Sequence, residues 1–81
     1  MKIKYFAWIK DYTNKDFENI DKDFPKTIND LEIYLIKKYP ELEKHIKNSL
    51  LRYAINMEYS SVNKKLDIND EIAIFPPVSG G

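Results

Sequence analysis

Cysteine is absent from this chain, which removes disulfides, thiolate metal sites and any side-chain persulfide from consideration. Neither charge sign is in excess: 13 Lys and Arg balance 13 Asp and Glu. No overall field therefore favours nucleic acid or an anionic membrane, and neither is expected as a partner. No apolar run approaches the roughly 18 residues that a membrane-spanning helix needs, and the start lacks the charged, apolar, small-residue order of a signal peptide. The cytoplasm is the expected compartment. Glycine is nearly missing as well. The 81 residues hold two, Gly80 and Gly81, and both stand at the carboxyl end, although the chain needs several turns where glycine would normally supply positive φ. That placement marks the end of the chain as its working part.

What the chain does contain suffices for one small folded unit. Hydrophobic residues make up 43%, with six tyrosines and four phenylalanines supplying large buried areas. Met1 to Ile9 alternates, which predicts a strand with Ile3, Tyr5, Ala7 and Ile9 on one face and Lys2, Lys4, Phe6 and Trp8 on the other. Phe6 and Trp8 would then form an apolar patch opposite the core unless a loop or second helix covers them. The stretch from Tyr12 to Asp16 has turn chemistry, with Asn14 tolerating a left-handed conformation. Phe17 to Ile20 is expected to return as a strand, with Phe17 or Ile20 facing in.

Thr27 to Tyr39 carries the strongest helix signal. Thr27 and Asp30 form a capping pattern, while Ile28, Leu31, Leu35 and Tyr39 recur at spacings of three and four. Pro25 and Pro40 bracket the segment. Glu41 to Ser49, with Leu42, Ile46 and Leu50 at four-residue spacing, predicts a short second helix. His45 within it has neither a cysteine nor a second histidine to join it and is read as a surface or edge residue. Leu51 to Met57 alternates again, putting Leu51, Tyr53, Ile55 and Met57 on one face. Tyr59 to Val62 reads as a loop or short edge strand, residues 63–65 as a turn, and Leu66 as an anchor.

Glu71 to Phe75 is the last strand, with Ile72 and Ile74 on one face and Ala73 and Phe75 on the other. Pro76 and Pro77 cannot donate to a ladder and hold an extended path, so the sheet stops there. Val78 and Ser79 carry the last side chains. Gly80 and Gly81 have none, so this end could thread a narrow channel and offer an α-carboxylate. The carboxylate is ionised at neutral pH, with a reference pKa of about 3.3–3.7, and needs activation before it can be an electrophile. Strand, strand, helix, short helix, strand, turn, strand is the order of an α+β protein of the β-grasp (ubiquitin-like) type. Such a fold has a mixed sheet with one main helix across one face, and its first and last strands lie side by side. It would span residues 1–76, with 77–81 as a flexible tail, and would place Phe75 beside Phe6 on the helix-free face.

Phe75-Pro76-Pro77-Val78-Ser79-Gly80-Gly81 resembles the terminus of the molybdopterin synthase small-subunit family, the MoaD-like sulfur carriers of the ubiquitin-like ThiS–MoaD group. The run Tyr5-Phe6-Ala7 and the following Lys10-Asp11-Tyr12 are similar to that family's first strand and turn, where an arginine and a glutamate usually follow. Lys10 keeps the charge but loses bidentate geometry. Before the last strand the family has Asp-Gly-Asp-Glu. Here Asn69 takes the glycine's place, the best other residue for a left-handed turn position.

The resemblance implies that a ubiquitin-activating-like (MoeB-like) enzyme adenylates Gly81 with ATP, and that a sulfur donor such as a cysteine desulfurase supplies the sulfur for a thiocarboxylate there. The tail, Pro76 to Gly81, would then enter a molybdopterin synthase large subunit (MoaE-like), which brings the catalytic side chains. The delivered sulfur builds the dithiolene of molybdopterin. Phe75, Phe6, Trp8 and Lys10 are the expected docking residues, and no resident cofactor or metal is implied. A Gly-Gly end is also shared by carriers for thiamine or tRNA thiolation and by ubiquitin-like modifiers joined to lysines. A third alternative is an interaction module whose tail is unused.

Overall fold

The computed structural model describes residues 1–59 and 64–77. Five strands form one mixed sheet in the order β2-β1-β5-β3-β4. They are β1 (Lys2–Tyr5), β2 (Phe17–Asn19), β3 (Arg52–Ile55), β4 (Glu58–Tyr59) and β5 (Glu71–Phe75), with helices α1 (Ile9–Thr13), α2 (Ile28–Lys38) and α3 (Glu43–Lys47) between them. β1 and β5 are parallel and central, Ile3 facing Ile72 and Tyr5 facing Ile74. The other pairs are antiparallel. A parallel pair needs a long crossover, and the segment holding α2 provides it, so this is the β-grasp arrangement.

Period-two patterning sets the sheet's inner face. Ile3, Tyr5, Tyr53, Ile55, Ile72 and Ile74 point inward and are buried against Ile28, Leu31 and Leu35 of α2. Each aliphatic side chain so buried contributes about 1.5–3 kcal/mol. α2 starts where the pattern predicts, since the Thr27 hydroxyl accepts from the Asp30 amide at 3.1 Å. At its end the Tyr39 amide donates to the Leu35 carbonyl, and Pro40 then opens a short 3-10 turn, Pro40–Leu42, that leads into α3.

Four local expectations are corrected. β1 ends at Tyr5 rather than Ile9, because Ala7 takes φ 54° and the chain turns into α1. Ile9 is still buried, but from a helix, while Ala7 is exposed. On β2 the inward residue is Glu18, with Phe17 turned out at 49% exposure, while Ile20, just past the strand, packs half-buried against the core as expected. Met57 is 92% exposed because β3 stops at Ile55; Asn56 and Met57 both have positive φ and close a two-residue hairpin to β4. Asn69 is not left-handed. The loop before β5 is held instead by the Asp67 and Asn69 amides, which donate to Asp70 Oδ2 and Asp67 Oδ1.

The scarcity of glycine is met by substitution. Among the described residues Ala7, Asn14, Asp23, Ser49, Asn56 and Met57 adopt positive φ. Asn14 does so as the C-cap of α1, as its turn chemistry predicts.

Buried Glu18 fastens β2 to α2. The Tyr34 and Tyr39 hydroxyls donate to its two oxygens, with Lys38 and Lys15 ammonium groups at 3.2 and 3.3 Å. Burial by itself would push this carboxyl up, but the hydrogen bonds from Tyr34, Tyr39, Lys38 and Lys15 outweigh it and bring the pKa down to about 2. Burial, with the Glu18 charge beside it, pushes the Tyr5 hydroxyl up.

Candidate functional site

The site is the end of the sheet where the central strands β1 and β5 both finish. Parallel pairing makes them end together, and the Phe6 amide donates to the Ile74 carbonyl at 3.0 Å, one step past the Tyr5–Ile74 pair. Phe75 follows at once on the outer, helix-free face, and Pro76 and Pro77 leave from it half-buried. The backbone thus brings Phe6 and Phe75 to one place, as the strand order requires. Val78, Ser79, Gly80 and Gly81 lie outside the described residues.

The outer face around this exit is apolar in its middle and charged at its margin. Across β5, β3 and β4, Phe75, Ala73, Ala54 and Tyr59 share it, since Ala54 pairs with both Ala73 and Tyr59. The Tyr59 ring meets the Phe75 ring edge-on, centroids 5.6 Å apart. Sequence patterning left Tyr59 in a loop or edge strand with no role; only the β3–β4 hairpin register sets it against Phe75. On the other side, Lys4 pairs with Glu71 at 2.9 Å. Lys10 on α1 pairs with Asp16 at 3.6 Å and remains exposed.

Trp8 is not part of this surface. With β1 ending at Tyr5, the side chain turns to the α3 side, where its ring lies 6.0 Å from Tyr12 and 4.9 Å from His45. His45 Nε2 is 3.0 Å from the Tyr12 hydroxyl oxygen, so His45 closes a half-buried aromatic cluster that a second helix covers. Among the described residues no group of His, Cys, Asp and Glu is placed to hold a metal ion, and no helix is long and apolar enough to cross a membrane.

A mixed five-stranded sheet gripping one main helix, with parallel first and last strands at its centre, defines the β-grasp (ubiquitin-like) class of fold. The chain belongs to the ThiS family, whose model matches residues 3–81. It is 41% identical, over 99% of its own length and 94% of the relative's, to a molybdopterin synthase sulfur carrier subunit of Dictyostelium discoideum. A protein of the same description from Escherichia coli is 28% identical, covering 100% of this chain and 99% of its own. Among solved structures, small archaeal modifier protein 1 from Haloferax volcanii superposes with a TM-score of 0.78 at 27% identity, covering 99% of this chain and 97% of that one.

Proposed function

We propose that this chain is the sulfur carrier of a molybdopterin synthase and that Gly81 is the carrier atom's residue. An ATP-dependent adenylating enzyme of the ubiquitin-activating kind joins the Gly81 carboxylate to AMP with release of pyrophosphate. The terminal sulfur of a persulfide on a donor such as a cysteine desulfurase then displaces AMP to give an acyl disulfide, and a thiol of a partner cleaves that S–S bond, ending as a disulfide with the donor's sulfur, to leave the thiocarboxylate. The surface of Phe75, Tyr59 and Phe6 docks on a large subunit, the segment from Pro76 to Gly81 enters that subunit's active site, and the sulfur goes to the dithiolene of molybdopterin. These steps belong to the cytoplasm.

The observation that carries this reading is the exit of β5. A terminal Phe-Pro-Pro and Gly-Gly continue a central strand whose root is an exposed aromatic surface, in a chain most identical, among the proteins named above, to a molybdopterin synthase sulfur carrier subunit. The chain has no cysteine, so a carried sulfur atom needs the terminal carboxyl. The acid, base and phosphate-binding groups that a complete enzyme requires are left to partners.

The test uses Gly81 thiocarboxylate protein, a purified large subunit and the cyclic pterin precursor. Molybdopterin should form, and should not form from the plain carboxylate. No product, with a verified thiocarboxylate and an active large subunit, overturns the pathway. The likeness to a small archaeal modifier protein favours one second reading, conjugation of Gly81 to lysines, in which the same activated acyl group is captured by an ε-amine. Isopeptide-linked adducts in lysate would establish it. Sulfur supply to thiamine or tRNA would be told apart by which acceptor restores turnover.

A further inference from the structure

Arg52 opens β3, and the alternation that buries Tyr53 and Ile55 turns Arg52 and Ala54 to the helix-free face. Strand register sets Arg52 directly across from Phe75, and the Cβ atoms of residues so paired lie about 4.5–5.5 Å apart. Phe75, at the root of the tail, therefore has the chain at Phe6 on its β1 side and an exposed arginine on its β3 side. The docking surface described above gives this arginine no role.

The guanidinium is held by one end only. Arg52 Nη1 donates to the Ser49 carbonyl at 2.7 Å and to the Leu51 carbonyl at 3.3 Å. Arginine presents its N–H donors in a fixed fork, and the other edge of that fork, Nε and Nη2, has no partner among the described residues. Such an edge matches the two oxygens of a carboxylate. Among the described residues Arg52 forms no ion pair, so no carboxylate of the body of the protein takes it. The rest of the face repeats the sign. Lys2, Lys4, Arg52 and Glu71 are the charges that β1, β3 and β5 turn outward. Lys4 is matched by Glu71 and Lys2 lies over the Phe17 ring, which leaves the face positive beside its apolar centre.

We propose that Arg52 determines which protein docks at the exit: its free Nε and Nη2 edge takes an Asp or Glu side chain of the partner that covers Phe75 and Tyr59. The proposal rests on the carrier reading, in which that partner is the synthase large subunit. It adds the chemistry the partner must present, an apolar hollow for the two rings with a carboxylate at its border on the β3 side. Covering Phe75 takes water from the guanidinium beside it, and a cation so stripped is costly unless it is paired and hydrogen-bonded. The Ser49 and Leu51 carbonyls fix the fork before the partner arrives, so less side-chain freedom is lost on pairing. A protein that fits the rings but offers no acid at that position is rejected.

Calorimetric titration of a purified large subunit with the full chain and its Arg52→Lys, Arg52→Gln and Arg52→Glu variants tests this. Arg52 is exposed, so the variants should keep the parent's melting temperature. Arg52→Gln should weaken binding by roughly 30-fold or more. Arg52→Lys should recover part of that loss, since it keeps the charge without the fork. Arg52→Glu should bind worse than Arg52→Gln, because it sets one carboxylate against another. A role confined to tethering the turn through Ser49 and Leu51 makes the Gln and Glu variants equal, and that result overturns the proposal. Unchanged affinity for Arg52→Gln, with Phe75→Ala still weakening binding, also overturns it and leaves the carrier reading intact. A parent chain that does not bind an active large subunit overturns the carrier reading and the proposal with it.

Discussion

Tyr59 lies edge to face on Phe75 with its plane at 64° to the other ring, yet the Tyr59 side chain is 77% exposed. An aromatic pair of this geometry contributes about 0.5–1.5 kcal/mol, and so much exposed ring beside a chain exit marks a contact surface rather than core. Tyr59→Ala and Phe75→Ala are each expected to weaken binding to the large subunit by roughly 5–30-fold, or about 1–2 kcal/mol. The double variant should lose less than the sum, because each ring orders the other. Titration calorimetry decides this, and unchanged affinity for Phe75→Ala removes Phe75 from the docking surface.

Deletion of Gly80 and Gly81 should abolish sulfur transfer and leave the melting temperature where it was. The buried cluster is built from residues between Met1 and Ile74, so loss of the last two removes none of it. A large fall in melting temperature would contradict the separation of core from tail.

Met57→Gly is expected to stabilise the fold. Met57 sits at φ 73° and is 92% exposed, so glycine relieves the left-handed penalty of about 1–2 kcal/mol without loss of packing. Greater freedom of the unfolded chain takes back about 0.4–1 kcal/mol. The net gain should be roughly 0.5–1 kcal/mol by denaturant unfolding, and a destabilised variant would show that the Met57 side chain has packing worth keeping.

Glu18→Gln addresses acid stability. The Glu18 carboxyl is held at about 2 in the folded chain against 4.5 ordinarily. A depressed carboxyl contributes stability that is present above the unfolded pKa and is lost as pH falls through the folded one. The loss therefore falls between about 4.5 and 2. After allowance for solvent screening it should be on the order of 1–2 kcal/mol. The variant should be less stable at pH 7, and the gap to the parent should narrow over that acid window. A gap independent of pH would assign Glu18 a packing role alone.

Where side-chain periodicity ran long enough, the pattern and the structure agree. Thr27 caps α2 through the Asp30 amide, Ile28, Leu31 and Leu35 make its buried stripe, and Ile72 and Ile74 alternate into the core from β5. Disagreement gathers at short elements. Alternation through Phe6, Ala7, Trp8 and Ile9 is as good as that before it, but Ala7 takes a left-handed turn and Ile9 reaches the core from α1. A five-residue helix carries too little periodicity to be distinguished from a strand continued by a few residues. Met57 likewise kept the alternation of β3 while serving as a turn residue, a position where glycine would have been the signal.

The chain alone determined the β-grasp order, the capped main helix and the Phe-Pro-Pro and Gly-Gly end, because proline, glycine and amphipathic spacing act through neighbours in sequence. Tertiary structure decided which aromatics meet. It set Tyr59 on Phe75 through the β3–β4 hairpin, sent Trp8 to Tyr12 and His45, and gathered Tyr34, Tyr39, Lys15 and Lys38 around Glu18. Apart from Trp8–Tyr12 and Lys15–Glu18, which are near neighbours in the chain, those contacts join residues far apart in sequence, and their geometry follows from strand register and helix placement, which no local pattern encodes.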